Sequence, residues 1–169
     1  MTTTLVSVNT YTHSVAYVTN QVLLSIKRII SWSGLDVSRF VADWREFENG
    51  IKTWLGSRHL ETVVLEIFDP PTNALAVRWD FEIRYTSGSG DDGGFWADSE
   101  AIKNAIKKCG LIPSECSYRV VVTTKPEAPS VAGWTTTTLR STDGLVRYCV
   151  GTTIDASSLA SGAAYWKRP

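Results

Sequence analysis

The sequence predicts an α+β fold in which helices pack on a mainly antiparallel sheet. Three observations predict it. Apolar residues recur at helical spacing through the first third of the 169 residues. From Glu61 the period becomes two. After Pro126 both periods fade, and Gly, Ser, Thr and Ala dominate the remainder. That last stretch keeps apolar anchors at Val131, Trp134, Leu139, Leu145, Val146, Tyr148, Val150, Ile154, Tyr165 and Trp166. A disordered tail would lack them, because disorder accompanies low hydrophobicity and few aromatics. The segment from Glu127 to Pro169 reads as one able to dock, and in more than one way. That points to a binding or switching protein rather than an enzyme.

The elements follow in order. Thr2 to Asn9 alternates loosely and reads as a short mobile strand. Thr10 or Thr12 offers an N-cap. Val15, Val18, Val22, Ile26, Ile29 and Ile30 then place a long helix to about Trp32, stopped at Gly34. Asp36 is the next N-cap. Phe40, Trp44, Phe47, Ile51 and Trp54/Leu55 form an apolar stripe, so a second helix runs to about Gly56. Glu61 to Phe68 is rich in β-branched residues, and Asp69-Pro70-Pro71-Thr72-Asn73 is a turn by composition. Leu75 to Tyr85 alternates apolar residues with a charge row of Arg78, Asp80, Glu82 and Arg84. It reads as one strand of a half-solvated hairpin and as one edge of the sheet. Ser87 to Gly94 is a Gly-rich loop. Asp98 or Ser99 caps a third helix that Gly110 ends. Tyr118 to Thr124 is a strand bounded by Pro126 and reads as a second exposed edge. The runs Thr135 to Leu139 and Leu145 to Val150 have strand character and the potential to pair with either edge.

Size and composition fit a single domain. Hydrophobic residues make up 43% and there are seven Trp, enough for a core without disulfides or a structural metal. Seventeen basic and 17 acidic residues give no net charge. That argues against direct nucleic-acid binding, which needs clustered Lys and Arg. The odd cysteines, Cys109, Cys116 and Cys149, fit a reducing compartment better than a disulfide framework. The start, Met1-Thr2-Thr3-Thr4, shows no secretory signal. No run approaches the roughly 20 apolar residues of a membrane helix. A cytoplasmic protein without a membrane partner is the expectation.

Chemistry-bearing motifs are weak. Gly88-Ser89-Gly90-Asp91-Asp92-Gly93 has the spacing of a dinucleotide-binding loop. Its two carboxylates would repel a pyrophosphate, and the strand before it belongs to a hairpin rather than a βαβ unit. The same loop supplies too few ligands for calcium. His59-Leu60-Glu61 resembles the His-x-Glu of zinc deaminases, but Cys109 and Cys116 do not make the Pro-Cys-x-x-Cys element that must accompany it. With only His13 and His59 besides these cysteines, no metal, cofactor or catalytic residue is assigned. Cys109 reads as packing, and Lys103, Lys107 and Lys108 read as a solvated helix face. Trp134 and Trp166 stand out from the other tryptophans because they lie in the weakly patterned tail.

Several short runs together resemble the bacterial HORMA family. They are Ser33-Gly34-Leu35-Asp36, Asp43-Trp44, Trp54-Leu55, the stretch His59 to Ile67, and Arg78-Trp79-Asp80-Phe81. Thr137 to Gly144, Gly151-Thr152-Thr153-Ile154 and Tyr165-Trp166-Lys167-Arg168 complete the set, which covers nearly the whole chain. The resemblance implies a HORMA fold over residues 1–169, with a core at 1–126 and a C-terminal safety belt at 127–169. It implies a non-enzymatic protein that binds a closure-motif peptide and locks it under the belt, in open and closed states. It further implies a cGAS/DncV-like nucleotidyltransferase of a CBASS anti-phage system as partner, switched on by the closed form. An AAA+ remodelling ATPase would reopen it. On this reading the peptide adds as a strand along Tyr118, Arg119, Val120, Val121, Val122, Thr123 and Thr124; either Val120 and Val122 turn to the core or, with the parity reversed by one residue, their neighbours do. Trp134, Leu139, Leu145, Tyr148, Tyr165 and Trp166 hold the belt. Thr2 to Val8 would compete for the edge that the belt takes. A protein-interaction module with a fixed C-terminal segment is the alternative.

Overall fold

The computed structural model describes residues 10–86 and 94–169. The expected strand at Thr2 to Asn9 and the loop at Gly88 to Gly93 lie outside the described residues. Helix α1 (Thr10–Trp32) forms where the apolar stripe predicts it. It is buried on more than one face: Leu23, Ser14, Thr19 and Ser25 are covered along with the stripe. A hydroxyl in such a place needs a local acceptor. Thr19 donates to the Val15 carbonyl at 2.7 Å, Ser25 to that of Gln21 at 2.8 Å, and Ser14 to that of Ala156 at 2.6 Å. Gly34, at φ 89°, ends the helix, and the Leu35 amide reaches back to the Ile30 carbonyl at 3.0 Å.

The expected second helix is two, α2 (Ser38–Ala42) and α3 (Trp44–Gly56). They part at Asp43, whose φ of −94° and ψ of 9° leave the helical range. The apolar stripe survives the break. Phe40 stacks on Phe47 at 5.2 Å and meets Trp44 edge-on at 5.7 Å. Asp36 acts just before α2, where its carboxylate accepts the Ser38 amide at 2.9 Å.

Strands β1 (Leu60–Asp69) and β2 (Ala74–Tyr85) form the expected hairpin, with Asn73 at φ 60° in the turn. Short β3 (Trp96–Ala97) precedes α4 (Ser99–Cys109), which is capped by Asp98. β4 (Ser117–Thr124) follows, then β5 (Val146–Ala156) and β6 (Leu159–Lys167). The sheet order is β3-β5-β6-β2-β1-β4, and every pairing is antiparallel. The core lies on the helical face, where Val63, Leu65, Ile67, Trp79, Phe81 and Tyr118 meet the stripe of α1.

Three expectations need correction. β2 is not an edge: β1 pairs with one side and β6 with the other. Its charge row is not simply solvated. Asp80 is only 5% exposed, is bound by Arg78 at 2.7 Å, and accepts the Trp166 indole N–H at 3.1 Å. The tail is not shallowly docked either. Thr135 to Leu139, expected to have strand character, is irregular, whereas the Gly/Ala/Ser-rich run after Ser157 becomes β6, an interior strand. Ile154, Ala156, Leu159, Ala163 and Tyr165 belong to the core. Small side chains suit that place, since α1 packs directly against β6.

Tyr165 lies between Trp79, 5.0 Å away, and Tyr148, on which it stacks at 5.2 Å. Deleting Ala164 to Pro169 is therefore expected to unsettle the whole domain, beyond any effect on the tail. Loss of one buried aromatic costs about 3–5 kcal/mol. In a chain of this size that lowers the melting temperature by roughly 6–20 °C. Calorimetry of the truncated chain checks this, and an unchanged melting temperature would contradict it.

Candidate functional site

β4 pairs with β1 from Leu60↔Thr124 to Phe68↔Ser117. Among the described residues no strand pairs with its other side, so half of its main-chain donors and acceptors face away from the sheet. Its start is fixed to α2. The Tyr118 hydroxyl donates to the Asp36 carbonyl at 2.8 Å and accepts the Phe40 amide at 3.2 Å, while the Arg39 guanidinium lies 4.7 Å from the Tyr118 ring centre and donates to its carbonyl.

Beyond Thr124 the chain leaves the sheet and wraps around this edge. The Lys125 amide donates to the His59 carbonyl at 2.7 Å, and Glu127, at φ 67°, turns the chain. The Trp54 indole donates to the Pro129 carbonyl at 2.7 Å. Trp134 then lies on α3 over Gly50. A Cβ at Gly50 would come within 2.3 Å of the Trp134 indole nitrogen, so only glycine leaves room for the ring. The same indole donates to the Glu46 carbonyl at 3.1 Å, and its ring meets Trp54 at 5.1 Å and Phe47 at 6.0 Å.

From Trp134 the chain runs beside β4 at a distance. A groove of about 310 Å³ separates them, bounded by Val120, Val121, Val122 and Thr124 on one side and Thr135 to Thr137 on the other, with Trp54 and Val131 at its helical end. A second hollow of about 380 Å³ extends it past Phe47 towards Asp43.

The chain next crosses to the sheet face opposite the helices, where it meets a buried carboxylate. Glu66 on β1 is fully buried. Arg119 of β4 donates to it at 2.5 Å and uses its other nitrogens on the Thr137 hydroxyl at 3.0 Å and the Thr138 carbonyl at 2.5 Å. Arg140 donates its main-chain amide to Glu66 at 2.7 Å and its guanidinium at 2.8 Å. That guanidinium also reaches the Asn73 side chain at 2.8 Å and covers the Phe68 ring at 3.5 Å. A buried charge without such partners would be costly. The chain then enters β5 on the far side of the sheet. Residues 125–145 thus form a loop around the free edge of β4.

The expected site residues fall into two groups. Val120, Val121, Val122 and Thr124 line the groove, while Tyr118, Arg119 and Thr123 are engaged with α2, with Glu66 and the strap formed by residues 125–145, and with Thr62 of β1 respectively. Val120 and Val122 do pack towards the core. Of the tail residues, Trp134 touches α3, Leu139 and Leu145 are half-buried in the crossing, and Tyr148, Tyr165 and Trp166 lie within β5 and β6. Gly50, Glu66 and Arg140 were not singled out beforehand. The available signal was Glu66 itself, a carboxylate inside an otherwise apolar strand.

Nothing at the groove resembles an activated catalytic group. Away from the groove, burial raises the Cys109 thiol and the nearby Tyr165 hydroxyl above their ordinary ranges, and both stay protonated at neutral pH. Among the described residues no three His, Cys, Asp or Glu side chains gather to hold a metal. No helix among them is long and apolar enough to cross a membrane.

The family description bacterial HORMA domain 2 matches residues 2–169. The chain belongs to the bacterial HORMA domain family. No curated protein matches its sequence. Solved structures share the HORMA fold at low identity. A chain of the mitotic checkpoint complex aligns with a TM-score of 0.75 at 12% identity, over 94% of this chain and 97% of that one. A chain of the CdnC:HORMA-deltaN complex of E. coli MS115-1 aligns with a TM-score of 0.59 at 14% identity, over 100% of this chain and 93% of that one. C. elegans HTP-2 bound to the HIM-3 closure motif aligns with a TM-score of 0.51 at 10% identity, over 74% and 69%.

The Glu66 cluster fixes where this HORMA chain crosses the sheet. Arg140→Ala is expected to cost about 3–5 kcal/mol, because it strips a buried carboxylate of one partner. Amide exchange at residues 137–142 should accelerate more than at β1. Equal protection in the variant and the parent would show that the cluster does not hold the crossing.

Proposed function

We propose that this HORMA domain is a peptide-binding signalling switch. A closure-motif peptide adds as a strand along Tyr118 to Thr124, and the segment from 127 to 169 acts as its safety belt. The closed, peptide-bound form binds and activates a cGAS/DncV-like nucleotidyltransferase of a CBASS anti-phage system, and an AAA+ remodeller reopens it. The protein acts in the cytoplasm and has no catalytic activity of its own. One observation carries this reading: a β-strand edge faces a groove, and the following segment loops around both. Main-chain hydrogen bonds give a peptide affinity for such an edge, and alternate side chains give specificity. The Trp54 and Trp134 rings and Val131 offer apolar contact at one end of the groove. The solved HORMA complexes with closure motifs and with CdnC support the assignment of partners by family likeness.

A second reading has its own support. β6 is interior and Tyr165 is 4% exposed, which fits a C-terminal segment that stays in place. In that case the chain is a non-switching interaction module. Size-exclusion and NMR separation of two slowly exchanging forms would favour the switch, and a single form that binds peptide without rearrangement would favour the module.

A peptide selected by display against the chain provides the direct test. Methylating alternate backbone amides of that peptide should weaken binding by tenfold or more in one register and little in the other, as strand addition requires. The partner nucleotidyltransferase, assayed with peptide and with or without this protein, should make its product only in the complete mixture. Cross-links that place the peptide on the helical face, or nucleotidyltransferase output unaffected by this protein, would overturn the respective parts.

A further inference from the structure

We infer that Arg39 sets the register of the bound peptide by capping the first outward carbonyl of β4, which confines the added strand to the stretch opposite Val120 to Thr124. This rests on the peptide-binding reading above and adds where along the edge the peptide pairs. In an antiparallel ladder, successive residues turn their main-chain groups to opposite sides. Two contacts, one at each end of β4, fix which residues turn which way. The Lys125 amide donates to the His59 carbonyl at 2.7 Å, on the β1 side, so Lys125 turns inward, and with it Thr123, Val121 and Arg119. At the other end the Arg39 guanidinium, reaching over from α2, donates to the Tyr118 carbonyl. Tyr118 therefore turns outward, and with it Val120, Val122 and Thr124. The bulge in this pairing, between Leu60 and Thr62, adds its extra residue to β1 and skips none of β4. The alternation thus runs unbroken from one contact to the other, and both contacts give the same parity.

The outward row is closed at both ends. The Arg39 guanidinium also lies 4.7 Å from the Tyr118 ring centre and 3.4 Å from the Ser117 hydroxyl, so it sits squarely across the start of β4. The Tyr118 hydroxyl is tied to Asp36 and Phe40 on either side of Arg39 in sequence, which holds carbonyl and cap together. A hydrogen bond from a charged donor is roughly twice as strong as a neutral one, so a neutral peptide amide is a poor competitor for that carbonyl. At the far end the next outward position is Pro126, which has no N–H to offer, and Glu127, at φ 67°, turns the chain away. Between these stops lie Val120, Val122 and Thr124, all of which line the groove. The ligand this edge takes is a peptide with a short extended core of about five residues, since only every second residue bonds.

A mere brace between α2 and β4 would behave differently from a register stop. Loss of a brace weakens every peptide, whereas loss of a stop lets a longer peptide gain. The probe is a peptide selected by display against the parent chain and trimmed to the shortest form that keeps its affinity. On binding, amide exchange should slow tenfold or more at Val120, Val122 and Thr124, and change less than about twofold at Val121 and Thr123. Two alanines added to either terminus of the trimmed peptide should change its affinity for the parent by less than about twofold. For Arg39→Ala the same addition at one terminus should tighten binding at least fivefold. Arg39→Gln, which keeps a neutral donor, should fall between. The melting temperature of each variant establishes that it is folded.

An extension that gains equally in parent and Arg39→Ala, or a variant that loses affinity for short and long peptides alike, would overturn the register stop. So would new protection at Val121 and Thr123 in place of their neighbours. If the parent selects no peptide, the binding reading itself falls. The parity is then read in the free protein, where Val120, Val122 and Thr124 amides should exchange at least tenfold faster than those of Val121 and Thr123, and equal rates would refute it.

Discussion

A single carboxylate sets the path of the C-terminal segment. Glu66 stands on β1 with its side chain on the sheet face opposite the helices, where burial makes an unpaired charge costly. Its partners come from far along the chain, 53 residues away at Arg119 and 74 at Arg140. The first belongs to the edge strand and the second to the crossing segment. Satisfying Glu66 therefore brings both elements to the same point of the sheet. The groove exists because the chain is pinned there and on α3, while between the two pins its only bonds to β4 come from the Arg119 side chain and its main chain makes none to that of β4.

The interior position of β6 gives the strap something rigid to be strung from. One end of the loop is continuous with β4, and the other continues into a hairpin paired with β2. The mechanical contrast between loop and hairpin follows from hydrogen bonding. Strand residues on both sides satisfy β6, whereas the strap relies on a few side chains, above all an indole seated on a glycine.

How much of this was legible depended on whether a residue's neighbours lay close by in the chain. The stripe from Val15 to Ile30 needs only its own helix to make sense, and α1 appears where it predicts. The alternation in β2 likewise reads directly, as does the strand at Tyr118 to Thr124. The break at Asp43 left no mark, because Phe40, Trp44 and Phe47 keep their spacing across it. β6 was illegible for a different reason: Ala160, Gly162, Ala163 and Ala164 carry no contrast between faces, so an interior strand looked like a loose tail. Within the site, the edge strand was readable and its pins were not. Gly50 looks like any helical glycine until Trp134 arrives from 84 positions away, and Glu66 among valines and leucines gives no hint of which cations will find it.

The place of β6 also bears on how the chain is made. Residues 159–167 pair with β2, which is synthesised some 80 residues earlier. Until they emerge, β2 has one finished neighbour and one bare flank, with Trp79 and Phe81 lacking the strand beside them. A sheet completed by its latest strand cannot close progressively during translation. Pairings between such distant segments also form slowly. The nascent protein must therefore carry an unfinished apolar sheet from the synthesis of β2 until that of β6, a period in which chaperone protection, or a competing strand from another chain, would have its largest effect.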